Sequence, residues 1–425
     1  MKNSGIEWIG EIPDNWEIIP NKYLFENHSV KVGATWDKYK LLSLTTMGVK
    51  EKDSSVAGGK VPDSYENYQT VVPGDMIFCL FDLDCSAVFS GVSPYHGMIT
   101  SAYDVYEINK KLADNLYVDY LFQYAFSNRY YKIYSKNIRY TVTTEMFKSI
   151  RTPIPPLDTQ MKIGTLLSNK CSKVDKLIDV QQAQIEKLKE YKQSVITEAV
   201  TKGLDPSAPM KDSGVEWIGE IPEDWGVKKA KFIADSFEKG SGITKEDIVT
   251  DGDTPCVRYG EIYTKYNNGF SNCVTRTNLE KVSTPVYFKF GNILFVGTGE
   301  LVEEIGKNIV YLGTEKCLAG GDIIIMKHNQ EARFLNYAMN CIRSQMQKSY
   351  GKAKLKVVHI SAYNIGNIYI ALPNKEVQTE IADYLDKKCS EIDTLAKIKQ
   401  KKIDMLNEYK KSLIYEYVTG KKEVV

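Results

Sequence analysis

Nothing in the 425 residues approaches eighteen consecutive apolar side chains, so no membrane-spanning helix is expected. The opening Met1-Lys2-Asn3-Ser4-Gly5 lacks the apolar run of a signal peptide, which predicts a cytoplasmic chain. Eight cysteines occur without one C-x-x-C pair, and the four histidines do not gather beside them. That spacing argues against a zinc site or a disulfide framework. A phosphate-cradling G-x-x-x-x-G-K-[ST] loop is also missing, since Gly306-Lys307 is followed by Asn308. The only Pro-Pro lies in Ile154-Pro155-Pro156-Leu157, so the Asn/Asp-Pro-Pro-aromatic signature of DNA-adenine methyltransferases is absent. Serine, cysteine and histidine form no constellation for nucleophilic catalysis. The net charge of +1 excludes little, because basic residues gathered on one face can bind an anionic partner whatever the total.

What is present is a chain written twice. Residues 2–18, KNSGIEWIGEIPDNWEI, return at 211–227 as KDSGVEWIGEIPEDWGV, with 11 of 17 positions identical. A second echo closes each half. Gln160, Cys171, Asp175, Tyr191, Lys192, Ser194, Ile196, Glu198, Val200 and Thr201 recur 218 residues later, from Gln378 to Thr419. The first echo has an offset of 209, so the second copy holds about nine extra residues between the two. Between the echoes the halves differ: the frame is shared and the content is not.

The closing echoes read as long helices. From Leu157 to Thr201 there is one glycine, Gly164, and no proline. Apolar residues fall at Ile163, Leu167, Val174, Leu177, Ile185, Leu188, Tyr191 and Val195, and again from Ile381 to Leu413, at spacings of three, four and seven. Pro155-Pro156 and Pro373 stand just ahead, where proline starts a helix. About 43 residues would span roughly 65 Å at 1.5 Å per residue. A coil between chains is one reading; pairing within the chain is preferred, because both seams occur once per chain and match in length.

The segments ahead of the helices read as mixed α/β. Met76-Ile77-Phe78, Ile293-Leu294-Phe295-Val296 and Ile323-Ile324-Ile325 are strand-like runs beside Gly, Asp or Asn. The expected layout is a first globule over 1–155, a helix over 156–202, a turn-rich linker over 203–210, a second globule over 211–373 and a helix over 374–420. Phe295-Val296-Gly297-Thr298-Gly299-Glu300 resembles a glycine-rich cofactor loop, but a lone G-x-G is weak and a tight strand-to-loop turn explains it as well.

Charge gathers late in each globule. Phe126–Arg151 carries Arg129, Lys132, Lys136, Arg139, Lys148 and Arg151 against Glu145 alone, with Tyr130, Tyr131, Tyr134 and Tyr140 interleaved. Cys341–Leu372 carries Arg343, Lys348, Lys352, Lys354 and Lys356 with no acid. A solvated helix face followed by an edge strand would have this composition too. Its recurrence at the same place in both copies favours phosphate contacts with aromatics touching bases or sugars. The candidate DNA-binding residues are Arg129, Lys132, Tyr134, Lys136, Arg139, Tyr140, Arg258, Tyr259, Lys348, Lys352, Lys354 and Lys356.

These features resemble the specificity (S) subunits of type I restriction-modification systems. Gly5-Ile6-Glu7-Trp8-Ile9-Gly10-Glu11-Ile12-Pro13 and its repeat look like that family's domain start. Gly74-Asp75-Met76-Ile77-Phe78 and Gly291-Asn292-Ile293-Leu294-Phe295 look like its central strand. Pro155-Pro156-Leu157-x-x-Gln160-x-x-Ile163 looks like the start of its long helix, the second copy lacking one proline. The resemblance implies two globular target-recognition domains joined by two long antiparallel coiled-coil-like helices. It implies a non-catalytic reader of a bipartite, asymmetric site in double-stranded DNA. It also implies two methyltransferase (M) subunits and restriction/translocase (R) subunits as partners, with S-adenosylmethionine, ATP and Mg bound by them and no cofactor here. Trp8, Trp217, Tyr191 and Tyr409 are the candidate partner-binding residues. A stand-alone S-adenosylmethionine-dependent DNA methyltransferase using the Gly297-Gly299 loop, or a coiled-coil protein scaffold, are the alternatives.

Overall fold

The computed structural model describes residues 1–424 apart from 47, 53–63, 85, 87, 136–139, 300–303 and 352–357. The chain forms two compact units, Met1–Gln182 with Gln400–Val425, and Ala183–Lys399. Two long helices, Leu157–Lys202 and Lys375–Val418, are each shared between the units. Each unit is therefore built from one copy's globule, the start of that copy's helix and the end of the other's. The fold is mixed α/β with internal duplication, as the repeat predicts.

In the first unit a four-stranded antiparallel sheet runs in the order Phe25–Asn27, Asp104–Ile108, Met76–Phe78, Ser90–Val92. Met76, Ile77 and Phe78 are wholly buried, which is why they read as an unbroken apolar run rather than an alternation. The second unit has a five-stranded sheet, Ala234–Lys239, Ile323–His328, Ile293–Val296, Asn308–Tyr311, Gly269–Phe270, and a four-stranded one, Thr275–Thr277, Thr254–Val257, Cys317–Ala319, Tyr287–Phe288. Ile293–Val296 is again central and buried throughout.

The repeated opening motif has the same physics in both copies. Lys2–Asn3 pairs with Glu11–Ile12, and Met210–Asp212 with Glu220–Pro222. Gly5 and Gly10, like Gly214 and Gly219, hold left-handed backbone that other residues adopt at a cost. Trp16 and Trp225 are buried, and each receives the end of a long helix. A Cβ on Gly203 would lie 3.4 Å from Trp225 Cζ2, and one on Gly420 would collide with Pro13 and lie 3.1 Å from Trp16 Cζ2. The other copy's helix end thus closes on each Pro-x-x-Trp.

The repeated glutamine is a clamp. Gln160 is fully buried: its Oε1 accepts the Asp114 N–H at 2.8 Å, and its Nε2 donates to Leu112 O and Pro155 O, both at 2.8 Å. Gln378 does the same, accepting the Glu331 N–H at 3.1 Å and donating to Pro373 O at 2.8 Å. Asp114 and Glu331 in turn cap the helices Asn115–Ser127 and Ala332–Asn340. One side chain so fixes the long helix against the domain helix.

Within each unit the helix segments pair antiparallel. In the first, Ile163, Leu167 and Cys171 share a core with Leu413, Ile414, Tyr417 and Val418, and Lys410 Nζ donates to both Asp175 oxygens at 2.7 and 2.8 Å. In the second, Val195, Ile196 and Ala199 share a core with Ile381, Leu385 and Cys389, and Lys192 donates to both Asp393 oxygens at 2.7 and 2.8 Å. The repeated Asp and Lys of the closing echo are these two ion pairs, each made with the other copy's helix.

Candidate nucleic-acid interface

Two of the expected residues of the first unit, Arg129 and Lys132, converge on Asp84. Arg129 sits in left-handed backbone, and its Nη1 donates to Leu83 O at 2.6 Å and to Tyr131 OH at 2.9 Å, which ties its guanidinium to the 80s loop. Lys132 lies 3.7 Å from Asp84 and 4.7 Å from the centre of the Tyr140 ring, half-exposed and able to reach an anion. Tyr134 and Tyr140 are half-buried against the core. Lys136 and Arg139 lie outside the described residues, as do Lys352, Lys354 and Lys356.

Lys348 is a correction. Its side chain is buried at 2% exposure, where Nζ donates to Gly306 O at 2.7 Å and Asn308 Oδ1 at 2.9 Å and lies over the Phe295 ring. Burial pushes its ammonium down to about 7. The sequence shows only a lysine in a basic run. The helix Ile342–Ser349 turns that lysine inward, so it fastens the 304–308 turn and does not face a phosphate.

Arg258 and Tyr259 lie together at the mouth of an open cleft of about 420 Å³, lined also by Lys239, Gly242, Gly320 and Asp322. Sequence reasoning missed this grouping because its members come from three distant segments that only the sheet brings together. The glycines of Gly297-Thr298-Gly299 lie in hydrogen-bonded backbone. Thr298–Gly299 pairs with Val358–His359, and Gly297 bonds to Asp322 O and Ile360 N–H.

The four expected partner-binding residues divide in two. Trp8 stacks on Tyr130 at 4.7 Å and Trp217 meets Tyr350 edge-on at 5.3 Å, each within its own unit. Tyr191 and Tyr409 are more than half exposed on the long helices. In the first unit Tyr409 accompanies exposed Leu177, Val180 and Met405; in the second, Tyr191 accompanies exposed Leu395 and Ile398. Leu177 and Leu395, Val180 and Ile398, and Tyr191 and Tyr409 are equivalent in the repeat. Each unit therefore exposes several large apolar side chains on its long-helix segments.

Residues 222–420 match the family model described as the type I restriction modification DNA specificity domain. A putative type I restriction enzyme specificity subunit, MjaX of Methanocaldococcus jannaschii, is 26% identical over 97% of this chain and 95% of its own. The MjaVIII specificity subunit of the same organism is 26% identical over 84% of this chain and 81% of its own. Among solved structures, a chain from a study of complex assembly and conformational transition in the type I R-M system aligns with a TM-score of 0.70 at 14% identity, covering 96% of this chain and 98% of that one. The HsdS subunit of Thermoanaerobacter tengcongensis aligns with a TM-score of 0.50 at 14% identity, covering 97% and 98%. The fold is thus that of these two chains. Residues 222–420 carry the match to the type I restriction modification DNA specificity domain, and over nearly its whole length this chain is similar to type I restriction enzyme specificity subunits.

Proposed function

We propose that this chain is the DNA-reading subunit of a cytoplasmic type I restriction-modification enzyme, each unit recognising half of a bipartite, asymmetric target. The observation that carries this is the duplication: one frame, held by the same tryptophan, glutamine and ion pair, presents two different surfaces. A pair of dissimilar readers on a common frame suits an asymmetric site. The chain performs no chemistry. It positions two methyltransferase subunits over their adenines, and those subunits supply the S-adenosylmethionine, while ATP and Mg belong to the restriction subunits. The exposed apolar side chains around Tyr191 in one unit, and around Tyr409 in the other, are where methyltransferase subunits dock.

Lys132, Lys136, Arg139 and the lysines at 352, 354 and 356 neutralise phosphates. Duplex binding by the full chain, measured against salt concentration, tests this. Changing Lys352, Lys354 and Lys356 to Ala should flatten the salt dependence, by about one unit of slope for each phosphate no longer neutralised. An unchanged slope would show those lysines to be surface decoration. Methyl transfer to DNA by rigorously partner-free chain would sink the non-catalytic assignment.

A further inference from the structure

The cleft beside Arg258 is built where three segments leave a sheet. Thr254–Val257 and Cys317–Ala319 are adjacent and parallel, so both chains exit at the same end. Gly320 N–H donates to Val257 O at 2.8 Å, which brings the exits together, and Ser241 N–H donates to Ala319 O at 2.7 Å, which brings in the 239–244 turn. Diverging chains at the carboxyl ends of parallel strands leave a crevice. Four glycines line it. A Cβ on Gly240 would meet Gly320 O, and one on Gly320 would come within 3.2 Å of Val257 O, so those two are required by packing. Gly242 is different: a Cβ there would meet nothing within 4 Å, and its backbone is not left-handed. Nothing among the described residues requires glycine at 242. A ligand approaching the backbone closely would.

Arg258 faces this crevice with its guanidinium already oriented. Nε and Nη2 donate to Glu261 Oε1 at 3.3 and 3.1 Å. Glu261 is itself buried and held by the Arg258 N–H at 3.0 Å and the Thr275 hydroxyl at 3.0 Å. Among the described residues Nη1 has no partner, and the side chain is 28% exposed. Had Arg258 only balanced Glu261, an enclosed ion pair would suffice, and neither the open crevice nor Gly242 would have a purpose. Asp322, which also lines the crevice, disfavours a phosphate there. It suits a base edge, where arginine pairs with the guanine O6 and N7 acceptors.

We propose that Arg258, held by Glu261 as its positioning residue and reached past Gly242, reads a guanine in the major groove of the half-site bound by the second unit. This rests on the DNA-reading function above. The test selects duplexes from a randomised library with the full chain and with Arg258→Ala, Glu261→Gln and Gly242→Leu, checking thermal melting of each. Wild type should enrich a bipartite sequence. Arg258→Ala should lose preference at one G·C pair by roughly ten- to hundred-fold and leave the other half-site unchanged. Glu261→Gln should loosen the same pair by less. Replacing that guanine by 7-deazaguanine should weaken wild type and leave Arg258→Ala unaffected. Gly242→Leu, which meets open space and should fold, should weaken the same half-site; an unchanged profile there overturns the proposal even if Arg258→Ala is unstable. A uniform loss over all sequences with a shallower salt dependence also overturns it, by making Arg258 a phosphate contact. If wild type enriches nothing, the DNA-reading function itself fails.

Discussion

The two units share a frame to the level of single hydrogen bonds and differ in what they bury. Gln160 and Gln378, Trp16 and Trp225, and the pairs Lys410–Asp175 and Lys192–Asp393 do the same work twice. The ionisable groups in the interiors do not match. The first unit buries one acid, Asp75, and half-buries another, Asp119, bonded to Ser90 and Gln123; the second buries an acid, Glu261, and also a base, Lys348. The packing differs as well. Gly164 lets the long helix approach the domain helix so closely that a Cβ would lie 2.8 Å from Leu116 Cβ, while its counterpart in the second copy is Ala382. Duplication preserved what joins the helices to the globules, and what the globules hold and present diverged.

The largest effects should come from breaking the frame in one copy at a time. Trp16→Ala and Trp225→Ala each empty a buried site under a helix end, which costs about 3–5 kcal/mol for a buried tryptophan. Amide exchange should rise chiefly in the unit that carries the change. Equal loosening of both units by either variant would show that they do not hold their shape independently.

Gln160→Ala and Gln378→Ala should cost less, about 1–3 kcal/mol, because each leaves a buried N–H and carbonyls without their partner. The two variants should match closely in melting temperature. A large difference would mean that the clamp matters in only one copy, despite equivalent bonds to the long-helix start.

Much of the frame was legible in the sequence because its devices are local and repeated. The helix over Leu157–Lys202 follows from apolar spacing and a single glycine, and the strands Met76–Phe78 and Ile293–Val296 from short apolar runs. The identity of Gln160 and Gln378 was visible; their bonding was not, since Asp114 and Glu331 lie more than forty residues away. The candidate interface was harder to read. Composition cannot say which way a helix turns a lysine, so Lys348 and Lys132 looked alike, although one is buried and the other half-exposed. The Arg258 crevice depends on the register of strands sixty residues apart, and no local pattern marks it.

The pH dependence of stability should have opposite sign in the two units. Burial raises the Asp119 carboxyl to about 6, so between about 4 and 6 the folded first unit holds a proton that the unfolded chain has released. Stability there should fall as pH rises through that window, with the penalty complete above it. Burial lowers Lys348 to about 7, so between there and the ordinary lysine range near 10.4 the unfolded chain holds the extra proton. The second unit should therefore gain stability as pH rises from about 7. Asp119→Asn keeps the shape and removes the charge, and should flatten the acid-side slope of the first unit only. Lys348→Met should flatten the alkaline-side slope of the second only, and should leave the salt dependence of DNA binding unchanged, because its ammonium reaches no phosphate. For units of this size about 1 kcal/mol shifts a melting temperature by roughly 2–4 °C, which calorimetry across pH resolves. Amide exchange, corrected for its intrinsic pH dependence, assigns each slope to a unit. A shared slope in both units, or a Lys348→Met variant with a shallower salt dependence, would break the comparison and return Lys348 to the binding surface.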